Sequence, residues 1–186
     1  MSKFIAFDIE CTGLYPTPGK SKIFGASVYD GRTVNIYTNM EQLRSVLEDS
    51  SITKVIHNAA FDAYWVKILH GITIRNIWDS RLMEQVILGE SLPRSNKDEE
   101  LRRQLSSSLL YTLNRYGLAD LSATKHIGAD FAKKPINQPL TKEEIAYMQD
   151  DVKHLLHLQA MQERRLTKLN LTRVANLENR LVEVVV

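Results

Sequence analysis

The segment KFIAFDIECTG, residues 3–13, is an apolar run that two carboxylates interrupt near its end. Apolar residues on both alternating sets of positions are typical of a central strand that helices cover on both sides. Asp8 and Glu10 stand two residues apart, so their side chains leave the same face of this strand. Thr12 and Gly13 follow where the chain turns. We therefore predict a buried strand with two acidic side chains near its carboxyl end, where open α/β sheets usually bind ligands.

Four further β-rich segments accompany this strand: residues 22–29, 32–38, 52–57 and 73–78. Asp30-Gly31 lies between the first two of them and indicates a hairpin. Helical spacing is found at residues 40–49, 59–70, 81–89 and 105–117, and from Thr141 to about residue 165. This order predicts one mixed sheet with helices on both faces. The polar segment at 90–104 is predicted to be a mobile connection.

Length and composition set limits on the kind of protein. A chain of 186 residues is long enough for one well-buried domain. The net charge of +2 permits a polyanionic partner without requiring one. The single cysteine, Cys11, excludes an internal disulfide and a cysteine-based zinc site. The chain has no run of 18 apolar residues, and we expect a protein of the bacterial or phage-infected host cytoplasm.

A second acidic segment, HNAAFD at residues 57–62, joins the fourth strand to a helix. Asn58 is predicted to be the N-cap of this helix, with Phe61 and Asp62 in its first turn. Each of these residues also has a purely structural interpretation. Asp62 could simply complement the helix dipole, Asn58 could only cap the helix, and Phe61 could only belong to the core.

The third acidic segment, YMQDD at residues 147–151, lies on a long helix that a Thr141–Glu144 capping box begins. Tyr147 and Asp151 are four residues apart and therefore share one face of this helix. A phenol one turn from a carboxylate can orient a water molecule on a metal that the carboxylate binds. Asp150 projects elsewhere and is predicted to be solvated.

Bringing Asp8, Glu10, Asp62 and Asp151 together would make their carboxylates repel one another, and some of them would take up protons. A site that keeps all of them ionised needs cations, and ligand sets made only of oxygen suit Mg²⁺ or Mn²⁺. Paired metal ions held by carboxylates are a common means of cutting phosphodiesters. The sequence therefore favours a metal-dependent nuclease.

In their order and spacing these segments resemble the DEDD 3′–5′ exonuclease superfamily, in the subtype that has tyrosine in its third motif. The resemblance covers residues 3–165 and is closest to the proofreading domain of family A DNA polymerases, with ribonuclease D also similar. The positions that match the three motifs are Asp8, Glu10, Asp62, Tyr147 and Asp151, and Asn58 and Phe61 match the context of the second motif. Ala60 departs from the family pattern, which often has lysine there.

The resemblance implies a ribonuclease H-like fold with a five-stranded mixed sheet, and two divalent cations, Mg²⁺ or Mn²⁺. It implies that Asp8 bridges the ions and that Glu10 and Asp151 complete the site that activates water. Asp62 would help to hold the second ion, and Tyr147 would position the water for in-line attack.

The resemblance also implies that Thr12, Gly13, Leu14, Asn58 and Phe61 hold the 3′-terminal nucleotide. Stacking and backbone contacts of this kind read no base sequence and suit a single-stranded end. The lysines at 125, 133 and 134 could meet the phosphate backbone, although a solvated polar face is the commoner explanation.

The most specific expectation is a proofreading exonuclease that acts on single-stranded DNA. Residues 1–168 would form the exonuclease domain, and residues 169–186 a C-terminal helix that leads to, or is covered by, a polymerase domain or subunit. The helix carries an apolar stripe of Val174, Leu177, Leu181, and Val184 or Val185. A ribonuclease D-like exoribonuclease is the nearest alternative. A catalytically silent nucleic-acid-binding module is another, but such modules typically lose metal ligands that this sequence retains.

Overall fold

A five-stranded mixed sheet lies at the centre of the computed structural model, which describes residues 4–89, 106–120 and 131–185. Its strands are β1 Phe4–Cys11, β2 Ile23–Tyr29, β3 Val34–Tyr37, β4 Thr53–Ile56 and β5 Ile77–Asp79. Their order across the sheet is β3-β2-β1-β4-β5. β1 pairs antiparallel with β2 and parallel with β4, and β4 pairs parallel with β5. The predicted connection at 90–104 and Lys125 lie outside the described residues.

The described helices are α1 Arg44–Leu47, α2 Ala59–His70, α3 Ser80–Leu88, α4 Leu109–Arg115, α5 Lys142–Lys153, α6 Leu155–Lys168 and α7 Thr172–Val185. A 3₁₀ turn at Met40–Leu43 leads into α1. The predicted hairpin joins β2 to β3, and Asp30 Oδ1 accepts hydrogen bonds from the backbone N–H groups of Arg32 and Thr33.

Helices cover both faces of the sheet, and the side chains of β1 point alternately to these two faces. Phe7 and Ile9 face one core, to which α2 contributes the fully buried Trp65. Ala6 faces the other core, to which α6 contributes Leu155 and Leu158. Asp8 and Glu10 have the same parity as Ala6 and therefore share its face. The α/β fold class and the mixed sheet predicted from the sequence are confirmed.

The fifth strand is shorter than predicted, Ile77–Asp79 instead of 73–78. Ile72 and Ile74 are buried in the core without being part of the sheet, so their alternation reflects packing alone. Asn76 has a φ of 55°, and this left-handed conformation interrupts an extended chain immediately before β5.

Three helices also differ from their predicted bounds. The segment at 40–49 divides into the 3₁₀ turn and the short α1. In the segment predicted at 105–117, of which the structure describes residues 106–117, the helix extends from Leu109 to Arg115. The helix predicted from Thr141 to about residue 165 is interrupted at His154, between α5 and α6. Met148 and Leu155, on opposite sides of that break, are both buried, so the apolar period does not reveal the break.

Helix α7 covers the edge strand β5. The backbone N–H of Asp79 donates to Asn179 Oδ1 at 2.9 Å, and that of Ile77 donates to Glu183 Oε1 at 3.2 Å. These side chains satisfy donors that an edge strand would otherwise leave open. Within the described residues, no helix has the length and apolar character needed to cross a membrane.

Candidate active site

Asp8 and Glu10 lie where β1 extends beyond its parallel neighbour. The last paired residues of β1 and β4 are Ala6 and Val55, after which the chain of β4 turns away into α2. The pairing of β1 with β2 shifts by one residue between Glu10 and Cys11. Bulges of this kind occur beside active sites, where they redirect side chains. Sequence spacing did not indicate this irregularity in the pairing of β1 with β2.

Helix α5 crosses this part of the sheet at Gly25, which is the β2 partner of Glu10. A Cβ atom at Gly25 would lie 3.1 Å from both Met148 Cε and Leu140 Cδ1. The absence of a side chain at Gly25 therefore allows α5 to pack close to the strand that carries the two acids.

Three carboxylates converge as a result. One oxygen from each of Asp8, Glu10 and Asp151 can be chosen so that all lie within 4.8 Å of one another. Tyr147 lies one turn before Asp151 on α5, and its ring is 6.3 Å from that of Phe131, centroid to centroid. The packing of Tyr147 on Phe131 holds the phenol beside the acidic cluster.

Asp62 lies next to this cluster but is not one of the three converging carboxylates. Its side chain is buried on α2, and its Oδ1 accepts a hydrogen bond from the backbone N–H of Ile9 at 3.1 Å. Ile9 stands between Asp8 and Glu10, in the part of β1 that β4 no longer pairs. Asp62 therefore satisfies a strand donor and fixes its own orientation towards the cluster.

The cluster is electrostatically unfavourable in the absence of cations. Burial, and then the negative charges of Asp8, Asp151, Asp62 and Glu144, raise the pKa of Glu10 to about 10. Burial, followed by repulsion from Asp151, also raises the pKa of Asp8 well above its usual range. Two adjacent acids that resist ionisation are expected where positive charge is to be bound.

The pKa values of Asp62, Asp151 and Tyr147 are also raised. Burial, followed by the charge of Asp8, raises the pKa of Asp62, although the hydrogen bond from Ile9 opposes this shift. Burial raises the pKa of Asp151 to about 6, opposed by a hydrogen bond with Tyr147. Burial and the charge of Asp151 raise the pKa of Tyr147, so its hydroxyl stays protonated and able to donate.

The donor set fits divalent metal ions. Asp8, Glu10 and Asp151 offer only carboxylate oxygens, which are the ligands that Mg²⁺ and Mn²⁺ prefer. Bound cations would offset the burial and the repulsion that raise these pKa values and would keep the ligands ionised. Asp150, the neighbouring acid on α5, is exposed and forms an ion pair with Lys153 at 2.7 Å, as the solvated interpretation predicted.

The residues predicted to hold the nucleotide lie around the end of β1 and the start of α2. Leu14 is 75% exposed, and its carbonyl oxygen accepts a hydrogen bond from Trp65 Nε1 at 3.4 Å. Thr12 is held by backbone hydrogen bonding to Lys22. Gly13 has a φ of 152°, and no other part of the described chain lies within 4 Å of where its Cβ would be. Phe61 is half-buried, and its ring is 6.1 Å from that of Trp65.

Asn58 does not act as the predicted helix cap. It occupies the N-cap position with a φ of 71°, and its side chain makes no capping hydrogen bond. Asp79 takes over this function, because its carboxylate accepts from the N–H groups of Asn58 and Ala59 while also capping α3 through Arg81 and Leu82. Asn58 Oδ1 instead accepts a hydrogen bond from Arg81 at 3.0 Å. Asp79 lies 20 residues after Ala59 in the chain, so local sequence spacing does not indicate its role at the start of α2.

Lys134 is unsuited to the predicted phosphate contact. It is 9% exposed, and its Nζ lies 2.9 Å from both carboxylate oxygens of Glu144. Glu144 also accepts from the backbone N–H of Thr141, which completes the predicted capping box. This ion pair places the positive charge of Lys134 beside Glu144, whose negative charge contributes to the raised pKa of Glu10. Lys133 is exposed, as a solvated face predicts.

A groove of about 810 Å³ adjoins the acidic cluster between α4 and α5. Its apolar lining includes Leu109, Leu110, Leu113 and Leu118, and its polar lining includes Tyr147 and Asp151. Sequence spacing did not indicate the groove, because the position of α4 relative to α5 depends on the tertiary structure. It offers space next to the cluster for a ligand with apolar surfaces.

A family model described as 3′–5′ exonuclease matches residues 1–166. The chain belongs to this family. The resemblance to DEDD exonucleases is thereby confirmed, and the protein is an enzyme. Enzymes of this type use two divalent metal ions, for which the acidic cluster supplies oxygen ligands. No curated protein matches the chain closely enough to be reported as a relative.

Several solved structures share the fold. NrnC of Brucella melitensis with bound Mg²⁺ is 19% identical, covers 98% of this chain and 83% of its own, and superposes with a TM-score of 0.75. The catalytic core of RRP6 from Trypanosoma brucei is 20% identical over 98% of this chain and 46% of its own, with a TM-score of 0.74. RNase D of Escherichia coli, described as an exoribonuclease involved in structured RNA processing, is 20% identical, with 98% and 44% coverage and a TM-score of 0.71.

Proposed function

We propose that this 3′–5′ exonuclease removes nucleoside 5′-monophosphates from the 3′ end of single-stranded DNA, with Asp8, Glu10, Asp62 and Asp151 as metal ligands. The observation that carries the proposal is the convergence of three carboxylates within 4.8 Å beside Tyr147. When bound, two divalent cations would supply Lewis-acid stabilisation of the phosphodiester and lower the pKa of the attacking water.

The chain's own residues would align the reactants. In the structure the single O–H of Tyr147 donates to Asp151, one turn away. With Asp151 engaged as a metal ligand, that O–H would turn to the water that attacks the terminal phosphorus and position it. The attacking water forms a bond to phosphorus and releases one proton to solvent. The bond from phosphorus to the 3′ oxygen breaks in line, and that oxygen takes up a proton from solvent. The products are a nucleoside 5′-monophosphate and a strand that is shorter by one nucleotide and ends in a 3′ hydroxyl.

The 3′-terminal nucleotide would be held by Leu14 and Phe61 on its base and by Thr12, Gly13 and Asn58 through polar contacts. The exposure of Leu14 supports this proposal, since a large apolar side chain in solvent gains most from a stacked base. The apolar groove between α4 and α5 would receive the nucleotides that precede the scissile bond.

An exoribonuclease is a second candidate with comparable support. The structures that share the fold include an RNase D described as an exoribonuclease and an NrnC bound to pGG. None of the side chains in the acidic cluster distinguishes ribose from deoxyribose. A silent binding module is disfavoured because all four acids and Tyr147 are retained.

Matched oligonucleotides would test both substrates. We expect 5′-labelled single strands to be shortened in steps of one nucleotide in Mg²⁺ or Mn²⁺, and chelation to abolish the reaction. Preferred digestion of DNA over RNA of the same sequence would support the first candidate, and the reverse the second. Failure to shorten either strand, in protein that binds the metal ions, would contradict the proposed function.

Proofreading is a more specific proposal. It requires a polymerase domain or subunit near an exonuclease unit at residues 1–168, reached through the helix at 169–186. The family match supports the exonuclease unit, and the reading frame after Val186 would reveal a covalently attached polymerase. The single cysteine supports a reducing compartment such as the bacterial or phage-infected host cytoplasm, which cell fractionation would test.

A further inference from the structure

Helix α7 has two apolar faces, and only one of them is covered by the described chain. The inner face packs on β5 and α3 through Ala175, Asn179 and Val182, which are all buried. The outer face consists of Val174, Leu177, Leu181 and Val184, which are 44%, 57%, 46% and 80% exposed. Single exposed apolar residues are ordinary, but a continuous stripe of four along one helix marks an interaction surface.

The stripe has the spacing of a coiled-coil seam. Its members follow one another at intervals of three, four and three residues, which places Val174 and Leu181 at a positions and Leu177 and Val184 at d positions. The first heptad has valine at a and leucine at d, a combination that favours two strands over three or four, whereas the second heptad has leucine at a and valine at d. A stripe of this kind is complementary to a second stripe with the same spacing.

The charges beside the seam specify the partner and its direction. Arg173 is at a g position and Glu178 at the following e position. In a parallel pair, the g residue of one helix meets the following e residue of the other, so Arg173 would face Glu178 twice by symmetry. In an antiparallel pair, Glu178 of one helix would lie near Glu178 of the other, and Arg173 near Arg180 of the other. Like charges would then meet. Among the described residues, no ion pair involves Arg173 or Glu178.

We propose that the outer face of α7 is a docking surface for α7 of a second copy of this chain, in a parallel two-fold arrangement. Asn179 and Glu183 attach each helix to β5, so the seam is already ordered before the copies meet. The acidic cluster lies at β1 and α5, and β4 separates β1 from β5 in the sheet. Association through α7 therefore leaves the active site open.

The state of association in solution tests this surface. We expect the wild-type protein to sediment as a dimer and Leu177→Glu/Leu181→Glu to sediment as a monomer with an unchanged melting temperature and exonuclease rate. Leu169→Glu alters a leucine of similar exposure outside the seam and should leave the dimer intact. A wild-type protein that stays monomeric up to about 100 µM, a concentration at which specific dimers form, would overturn the proposal. That result is also expected if a polymerase covers this face instead.

Two further variants test direction. Arg173→Glu and Glu178→Arg should each weaken dimerisation about tenfold, and the double exchange should restore it. Leu181→Cys should form an intermolecular disulfide on mild oxidation, because a positions face each other across a parallel seam, whereas Asn176→Cys on the flank should not. Cys11, the native thiol, is buried. Crosslinking at residue 176 but not at 181, or no rescue by the exchange, would overturn the parallel arrangement.

Discussion

At the scale of single residues, the acidic cluster concentrates negative charge in a partly buried place. Burial raises the pKa values of Asp8, Glu10 and Asp151, and the charges of neighbouring carboxylates raise them further, so the free protein holds protons there that isolated carboxyl groups would release. A packing role would not require acids at these positions. The arrangement is explained if bound cations offset the repulsion.

Removing one ligand charge tests that explanation. We expect Asp8→Asn and Asp151→Asn each to lower the exonuclease rate more than about 100-fold, because even residues that only orient metal ligands typically contribute 10- to 100-fold. Asp150→Asn is the matched control, since Asp150 is the neighbouring acid but points to solvent. Steady-state rates on a 5′-labelled strand provide the measurement. A wild-type rate in Asp151→Asn would contradict the ligand assignment.

The hydroxyl of Tyr147 can be removed without disturbing its ring. In Tyr147→Phe the ring should still pack on Phe131, so the melting temperature should stay within a few degrees of wild type. The single-turnover rate should fall about 100-fold or more, since removing one positioned hydrogen-bond donor from an active site typically costs about 10²- to 10³-fold. An unchanged rate at saturating Mg²⁺ would exclude a role of this hydroxyl in orienting water.

At the scale of elements, Asp79 is the residue that connects β5, α2 and α3. Its carboxylate accepts from four backbone N–H groups at the starts of the two helices. We expect Asp79→Ala to lower the free energy of unfolding by about 2–4 kcal/mol, because it removes a cap and leaves buried donors unpaired. Thr141→Ala, which removes the exposed cap of α5, should cost only about 1 kcal/mol. Urea unfolding would compare them, and equal losses would contradict this account of Asp79.

The pattern of apolar residues predicted the sheet and most helices because the central strands bury both faces and the helices bury one face each. It located Asp8 with Glu10 and Tyr147 with Asp151 on common faces, since both relations are local along the chain. It could not show that Asn58 adopts a left-handed conformation and leaves capping to Asp79, which is 21 residues away. The partner of Lys134 and the break at His154 likewise depend on tertiary packing, so sequence spacing alone did not indicate them.

At the scale of the whole molecule, the acidic cluster links stability to pH and to metal ions. The pKa of Glu10 is about 10 in the fold against an ordinary 4.5, and that of Asp151 about 6 against 3.8. At pH values between the ordinary and the raised pKa of each residue, the folded protein keeps a proton that the unfolded chain has released. The contribution of these two groups to the free energy of unfolding of the metal-free protein should therefore be greatest below about pH 4 and should fall as pH rises.

Bound cations should reverse this trend, because they replace protons on the ligands. We expect Mn²⁺ to raise the melting temperature more at about pH 8 than at about pH 5. Differential scanning fluorimetry with and without a chelator would measure the two shifts. Glu10→Gln, which cannot ionise, should show a weaker dependence on pH. Equal shifts at both pH values would indicate that the ions bind elsewhere.

The central claim is that Asp8, Glu10, Asp62 and Asp151 hold divalent ions in one place. Anomalous diffraction from crystals grown with Mn²⁺ and a nucleoside 5′-monophosphate tests it most directly. We predict strong anomalous peaks among these carboxylates, with ligand oxygens about 2–2.3 Å from the ions and the phosphate beside Tyr147. Peaks confined to other acidic residues, or none at saturating Mn²⁺, would contradict the account.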